Sequence, residues 1–220
     1  MKAQLLKITS SALILSMSIS QVSSACRPGE VTTPSSSSIN QGLTSPSEEF
    51  MTTILGKPIT PAPSSQPVDG CYPNKQVNAK IKNLLVTENV GPFRVTGLKP
   101  AVEVLKRIFA KVKKQEPGLH AQLATDGMMC ARPKKANGKY RMGTWSNHSW
   151  GLAIDIKIKN HSDKQGDKCT VSQLQKLYPY FHDERFYWGA GYSTLEDSMH
   201  FETSTELLTR WQANGVFNRK

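Results

Sequence analysis

The sequence predicts a small α+β domain, and three observations carry that reading. Apolar residues recur at helical spacing in three separate segments, they alternate in short segments between them, and helices and strands follow one another in mixed order. The roughly 150 residues that follow residue 66 are enough for one core. Composition excludes other classes. An apolar share of 38% is too high for a fully disordered chain, and no G-X-Y period or 20-residue apolar run is present. Four cysteines in 220 residues do not make a disulfide-dense miniature scaffold.

Residues 1–25 read as an export signal. Lys2 and Lys7 form the positive start, Ile8 to Ile19 is mostly apolar and small, and Ser23-Ser24-Ala25 offers a cleavage site. Cys26 follows at once, where a bacterial lipoprotein would be cut and acylated, although Ser23 stands where an aliphatic residue is usual. Residues 26–66 read as a disordered linker rich in Ser, Thr and Pro, as in Thr32-Thr33-Pro34-Ser35-Ser36-Ser37-Ser38 and Pro58 to Ser65. Residues 67–220 then form the folded domain.

Within that domain Leu98 to Gln115 is the clearest helix. Pro100 suits its first turn, Ala101, Leu105, Ile108, Phe109 and Val112 share a face, and Pro117-Gly118 ends it. Leu119 to Thr125 follows as a short strand. Trp150 to Ile158 is a second strand, with Leu152, Ile154, Ile156 and Ile158 pointing one way. A helix runs from about Thr170 to Phe181 on Val171, Leu174, Leu177 and Tyr178, and Met199 to Glu202 is a strand. A last helix begins at Thr203, with Glu206 completing a capping box, buries Leu207, Leu208 and Trp211, and stops before Gly215.

The chain carries 28 Lys and Arg against 17 Asp and Glu, a formal charge of +11. Residues 67–220 hold 24 of the basic and 14 of the acidic residues. Such a surface favours polyanions, and export favours an anionic cell envelope over nucleic acid, for which no recognition motif is present. Contact with a membrane is expected only through a lipid on Cys26. Export also permits disulfides. If Cys26 is acylated, Cys71, Cys130 and Cys169 leave one free thiol; otherwise four cysteines allow three pairings, and Cys130–Cys169, flanking the motif below, is favoured.

The densest chemistry lies in Ser146-Asn147-His148-Ser149-Trp150-Gly151-Leu152-Ala153-Ile154-Asp155 and in Asp197-Ser198-Met199-His200-Phe201-Glu202. Two imidazoles and a carboxylate, His148, Asp155 and His200, suit one catalytic zinc ion with a position left for water. On a flat strand, residues seven apart face opposite sides, so His148 and Asp155 meet only if the chain turns between them, and Gly151 permits the turn. Asp155 then faces away from Leu152, Ile154 and Ile156, toward a polar cleft. Glu202, two residues beyond His200 on the same strand face, can orient that ligand. Asn147-His148-Ser149 and Asn160-His161-Ser162 are also glycosylation sequons, and a glycan on Asn147 would crowd the ligand beside it.

The first stretch fits S-x-H-x-x-G-x-A-x-D at every fixed position, and the second supplies an acid three residues before a histidine. In this the sequence resembles the zinc peptidases of the D-alanyl-D-alanine carboxypeptidase and L-alanyl-D-glutamate endopeptidase family, over about residues 75–215. The resemblance implies the hedgehog-like fold of that family, a small antiparallel sheet with flanking helices. It implies His148, Asp155 and His200 as zinc ligands, Asp197 as general base and an upstream arginine, Arg132 with Arg141 as competitor, as oxyanion stabiliser. Ser146 and Tyr192, beside glycines 189 and 191, are candidate ligand-orienting or cleft-lining residues. The implied substrate is the stem peptide of peptidoglycan, acted on in the periplasm or cell envelope or after secretion. Asp at position 197, where the carboxypeptidase branch has Glu, tilts the expectation toward the endopeptidase. The alternative is a non-catalytic, zinc-containing module that binds the wall or a partner.

Overall fold

The computed structural model describes residues 26–136 and 138–218. The export signal expected over residues 1–25 lies outside the described residues. In chain order the elements are β1 (Glu30–Thr32), α1 (Glu48–Leu55), α2 (Ala79–Leu84), β2 (Leu85–Asn89), β3 (Arg94–Leu98), α3 (Lys99–Gln115), α4 (Pro117–Gln122), β4 (Leu123–Gly127), β5 (Lys134–Ala136), β6 (Lys139–Arg141), β7 (Ala153–Ile158), β8 (Cys169–Val171), α5 (Ser172–Asp183), β9 (Phe186–Trp188), β10 (His200–Thr203) and α6 (Thr205–Ala213). The mixture is α+β, as the sequence predicts. No helix among the described residues is long and apolar enough to cross a membrane.

The central sheet has the order β4-β7-β10-β9, antiparallel throughout. β7 shows why one face is core: Ile154, Ile156 and Ile158 are buried, whereas Asp155 between them is half-buried on the other side. Helix α3 buries Ala101, Leu105, Ile108, Phe109 and Val112 and packs on α5 and β3. Phe181 of α5 meets Phe109 of α3 edge-on and Phe201 of β10 at 4.2 Å between ring centres, which joins helices and sheet through aromatic contact. Trp150 and Trp188 are wholly inside this core.

Residues 26–66 correct the expectation of a disordered linker. Ser47 caps α1 by accepting from the Phe50 amide, Glu48 and Glu49 occupy its first turn, and Met51, Ile54 and Leu55 turn inward. Ile39 and Ile59 are buried as well. A few apolar residues at the right spacing anchor a segment whose Ser and Pro content, averaged over its length, resembles a spacer. The Trp150 indole donates to the Gly56 carbonyl at 2.9 Å, so this segment packs against the motif near its middle.

The disulfides also differ from the expectation. Cys130 does not pair with Cys169: Cys71 pairs with Cys130 and Cys26 with Cys169. The Tyr72 amide donates to the Ala131 carbonyl, which draws Cys71 beside Cys130, with Cα atoms 5.2 Å apart. β1 pairs with β8, Thr32 opposite Cys169, and the turn before β1 returns Cys26 to that edge. With its sulfur in a disulfide, Cys26 offers no thiol for a lipid, so neither the acylation nor the membrane contact expected through it fits this structure. No free cysteine remains among the described residues.

Smaller differences follow from local rules. Pro117-Gly118 opens a second short helix, α4, since proline is tolerated in a first turn, and the strand predicted from Leu119 starts at Leu123. The last helix is capped one residue later than expected, by Ser204, whose hydroxyl accepts from the Leu207 amide. Glu206 turns instead to the Thr44 amide.

Candidate metal centre

β7 and β10 set the site by register. His200 lies directly opposite Asp155, and Glu202 opposite Ala153, so all four residues share one sheet face and the small alanine leaves room for the glutamate. His148 arrives from a short 3-10 turn, Asn147–Trp150, that ends at Gly151 with φ +65° and ψ 33°. A Cβ on Gly151 would meet the Leu98 backbone nitrogen at 2.9 Å, so both the left-handed backbone and the close approach of β3 require glycine.

Three ligand atoms converge. His148 Nε2 lies 3.2 Å from Asp155 Oδ1 and 3.2 Å from His200 Nδ1, and His200 Nδ1 lies 3.1 Å from Asp155 Oδ1. Tetrahedral zinc with bonds of ~2.0–2.1 Å separates its ligand atoms by about 3.3 Å. The triangle therefore fits such an ion, and these three residues form the one cluster among the described residues that could hold a metal through three side chains.

The outer ring nitrogens show which lone pairs face the centre. His148 Nδ1 lies 2.8 Å from the Met128 carbonyl, which can only accept, so Nδ1 carries the proton and Nε2 presents its lone pair. His200 Nε2 lies 3.1 Å from the Glu202 carboxylate, which fixes the opposite tautomer and frees Nδ1. Glu202 is fully buried and also accepts from the Asn147 amide. Burial works against its charge, but the hydrogen bond that His200 donates outweighs it and keeps it ionised. Burial likewise opposes the charge of Asp155, and His148 and His200 hold it well below the ordinary carboxylate range.

The other predicted residues are placed as follows. Asp197 begins the turn into β10: its amide donates to the Gly189 carbonyl at 3.0 Å, and the His200 amide donates to its carbonyl at 3.1 Å. A Cβ on Gly189 would lie 2.5 Å from the Asp197 carbonyl oxygen and 3.1 Å from His200 Cβ, so only glycine lets this turn close against the strand end. The Asp197 carboxylate accepts from Gln165 at 2.9 Å. Burial raises its pKa, opposed by the charges of His200, His148 and Arg132, which places it in the field of the centre.

Arg132 is half-buried, and its backbone is held by Ser149 and Ser146. Arg141 is exposed on β6. Ser146 is buried at the head of the 3-10 turn, where its hydroxyl makes no capping bond. The Tyr192 ring lies 5.8 Å from that of His200, and burial, then the Glu202 charge, keeps its phenol protonated.

Sequence reasoning missed three contributors. Gln165 sits in an exposed loop with no motif. Asn147 reads as a sequon, yet its buried amide serves Glu202 and leaves no room for a glycan. The Met128 carbonyl is a backbone atom with no side-chain signature.

Residues 141–203 match the family model described as D-alanyl-D-alanine carboxypeptidase, a zinc peptidase family, which supports the resemblance read from the motifs. No match was found among the curated proteins. The family match and the His-Asp-His triad assign the chain as a metallopeptidase.

Proposed function

We propose that this metallopeptidase is an exported zinc enzyme that hydrolyses peptide bonds in the stem peptides of peptidoglycan, with an L-alanyl-D-glutamate-type endopeptidase favoured over a D-alanyl-D-alanine carboxypeptidase. The observation that carries the reading is the triangle of His148 Nε2, Asp155 Oδ1 and His200 Nδ1, each edge 3.1–3.2 Å. The preference for the endopeptidase rests on Asp197, one methylene shorter than the glutamate of the carboxypeptidase branch. The two disulfides are compatible with export, and the +11 charge suits an anionic envelope.

His148, Asp155 and His200 would hold the zinc. When bound there, zinc acidifies a water molecule and polarises the scissile carbonyl. The chain's own groups do the rest. Asp197, its basicity raised by burial, takes the proton of the attacking water and delivers it to the departing amine. The Arg132 guanidinium steadies the negative charge that develops on the carbonyl oxygen. Glu202 keeps the His200 ring in one tautomer and orientation throughout.

The test is mass spectrometry of muropeptides incubated with the zinc-loaded chain from Cys26 onward. Release of the stem beyond its first L-alanine supports the endopeptidase, and loss of one terminal alanine from pentapeptides supports the carboxypeptidase. Asp197→Asn separates either enzyme from a binding module: zinc affinity should hold while turnover falls by about 10²–10⁴. An Asn variant that retained full turnover would remove Asp197 from the mechanism.

A further inference from the structure

A second set of carboxylates lies apart from the triad, around the loop between β7 and β8. Asp163 accepts from the Val171 amide at 3.1 Å, Asp167 from the Cys169 amide at 2.9 Å and Glu196 from the Lys168 amide at 3.1 Å. Three negative groups are thus drawn to one stretch of four backbone residues. The Gly166 amide also donates to the Glu196 carbonyl at 3.0 Å, which ties the loop to the segment before Asp197.

Each of two carboxylates has one oxygen unaccounted for. Glu196 is 8% exposed, and its Oε1 is buried without a partner, as is Oδ2 of Asp163. An ionised carboxylate oxygen shut from water needs a donor or a cation. No lysine or arginine among the described residues forms an ion pair with either group, in a chain where bases outnumber acids. Without a cation the two respond as crowded acids do. Burial, then the charges of Asp163 and Asp167, push Glu196 up to about 7, and burial, with Asp167, Asp197 and Glu30 adding to it, pushes Asp163 up to about 6.

We propose that Asp163 and Glu196 are direct ligands of a calcium ion, with Asp167 adding charge beside them, and that the ion fixes the 162–168 loop. Hard oxygen donors of this kind suit calcium rather than zinc, and backbone carbonyls and water complete its larger coordination shell. Magnesium fits less well, because it demands near-ideal octahedral geometry, whereas calcium accepts the irregular oxygen set that a loop offers. The loop carries Gln165, which donates to Asp197 at 2.9 Å, so the ion would also fix a contact of the candidate base. This site shares no ligand with the His-Asp-His centre, so calcium binding here is independent of the peptidase reading.

The experiment is calorimetric titration of calcium chloride into the zinc-loaded chain from Cys26 onward, in chelator-treated buffer, with melting curves alongside. The expected result is one site with Kd of about 10⁻⁴–10⁻³ M, the range of extracellular calcium modules. Tm should rise by roughly 5 °C at about 10 mM calcium. Glu196→Gln and Asp163→Asn should each abolish both signals, while His148→Ala should bind calcium as the parent does. Absence of binding up to about 10 mM, which leaves a proton as the partner of the two oxygens, overturns the proposal. So does unchanged affinity in both carboxamide variants, or loss of calcium binding with His148. Asp163→Asn decides the matter if Glu196→Gln does not fold.

Discussion

Replacing Glu202 should weaken zinc binding in two steps, although Glu202 is not in the ligand triangle. Its carboxylate accepts from His200 Nε2 at 3.1 Å and from the Asn147 amide, inside a fully buried position. Glu202→Gln keeps an acceptor oxygen of similar shape but removes the charge that makes the His200 ring a stronger donor to metal. Partners of this kind are worth about 10–100-fold in metal affinity, or about 1.4–2.7 kcal/mol. The glutamine variant belongs near the lower end, because the tautomer is still held. Glu202→Ala removes the acceptor as well. It strands the His200 N–H and the Asn147 amide in a dry site, at about 1–3 kcal/mol for each orphan, and belongs at or beyond the upper end. Zinc competition against a chromophoric chelator, with melting curves of the metal-free variants, reads both quantities. If both variants bind zinc as tightly as the parent, His200 is not oriented through Glu202 and the assignment of Nδ1 as the ligand atom is wrong.

Gly189→Ala places a methyl 2.5 Å from the Asp197 carbonyl oxygen, so the Asp197–His200 turn has to move by about half an ångström or more. We expect a stability loss of about 1–3 kcal/mol and a larger fall in activity, since displacement of about 1 Å at a reacting centre costs on the order of 10²-fold; a variant with parental Tm and turnover refutes it. Paired replacement of Cys71 and Cys130 by serine opens a loop spanning 59 residues in sequence and should cost about 4 kcal/mol in denaturant melts, whereas no change would mean the pair is reduced in the working protein. In calcium-free buffer, Asp163 and Glu196 titrate above their unfolded values, at about 6 and about 7. Their contribution is therefore fully present near pH 4 and is lost as pH rises through 6 to 7. Tm measured across that window should fall more steeply for the parent than for the Asp163→Asn, Glu196→Gln double variant, and parallel curves would refute the assignment.

The metal triad was legible in the sequence because its residues stand in two dense motifs: His148 and Asp155 lie seven apart with Gly151 between them, and His200 follows an acid by three residues. Their meeting still needs β10 to pair with β7 across 45 residues, which the motifs imply only through the resemblance. What surrounds the triad was less legible, because its residues hold no fixed position of a motif. Gln165 reaches Asp197 across 32 residues, and Asn147 reaches Glu202 across 55. Neither carries a pattern that distinguishes it from an ordinary loop polar residue. The disulfides failed for the same reason. Proximity to the motif in sequence suggested Cys130–Cys169, but β1 pairing with β8 and the Tyr72–Ala131 hydrogen bond decide which sulfurs meet.

Residues 26–66 show the limit of composition most plainly. A segment average treats Ser and Pro as diluents, whereas the fold needs only Ile39, Met51, Ile54, Leu55 and Ile59 to be placed correctly, with Ser47 ready to cap the helix between them. That placement has a consequence at the centre. Glu48 holds the Trp145 amide at 2.9 Å and Gly56 holds the Trp150 indole, so α1 and its cap grip both ends of the turn that carries His148. The segment that reads as a tether is therefore part of what keeps the first ligand in place. A chain trimmed to residues 67–220 would retain all three ligands yet lose both grips on that turn.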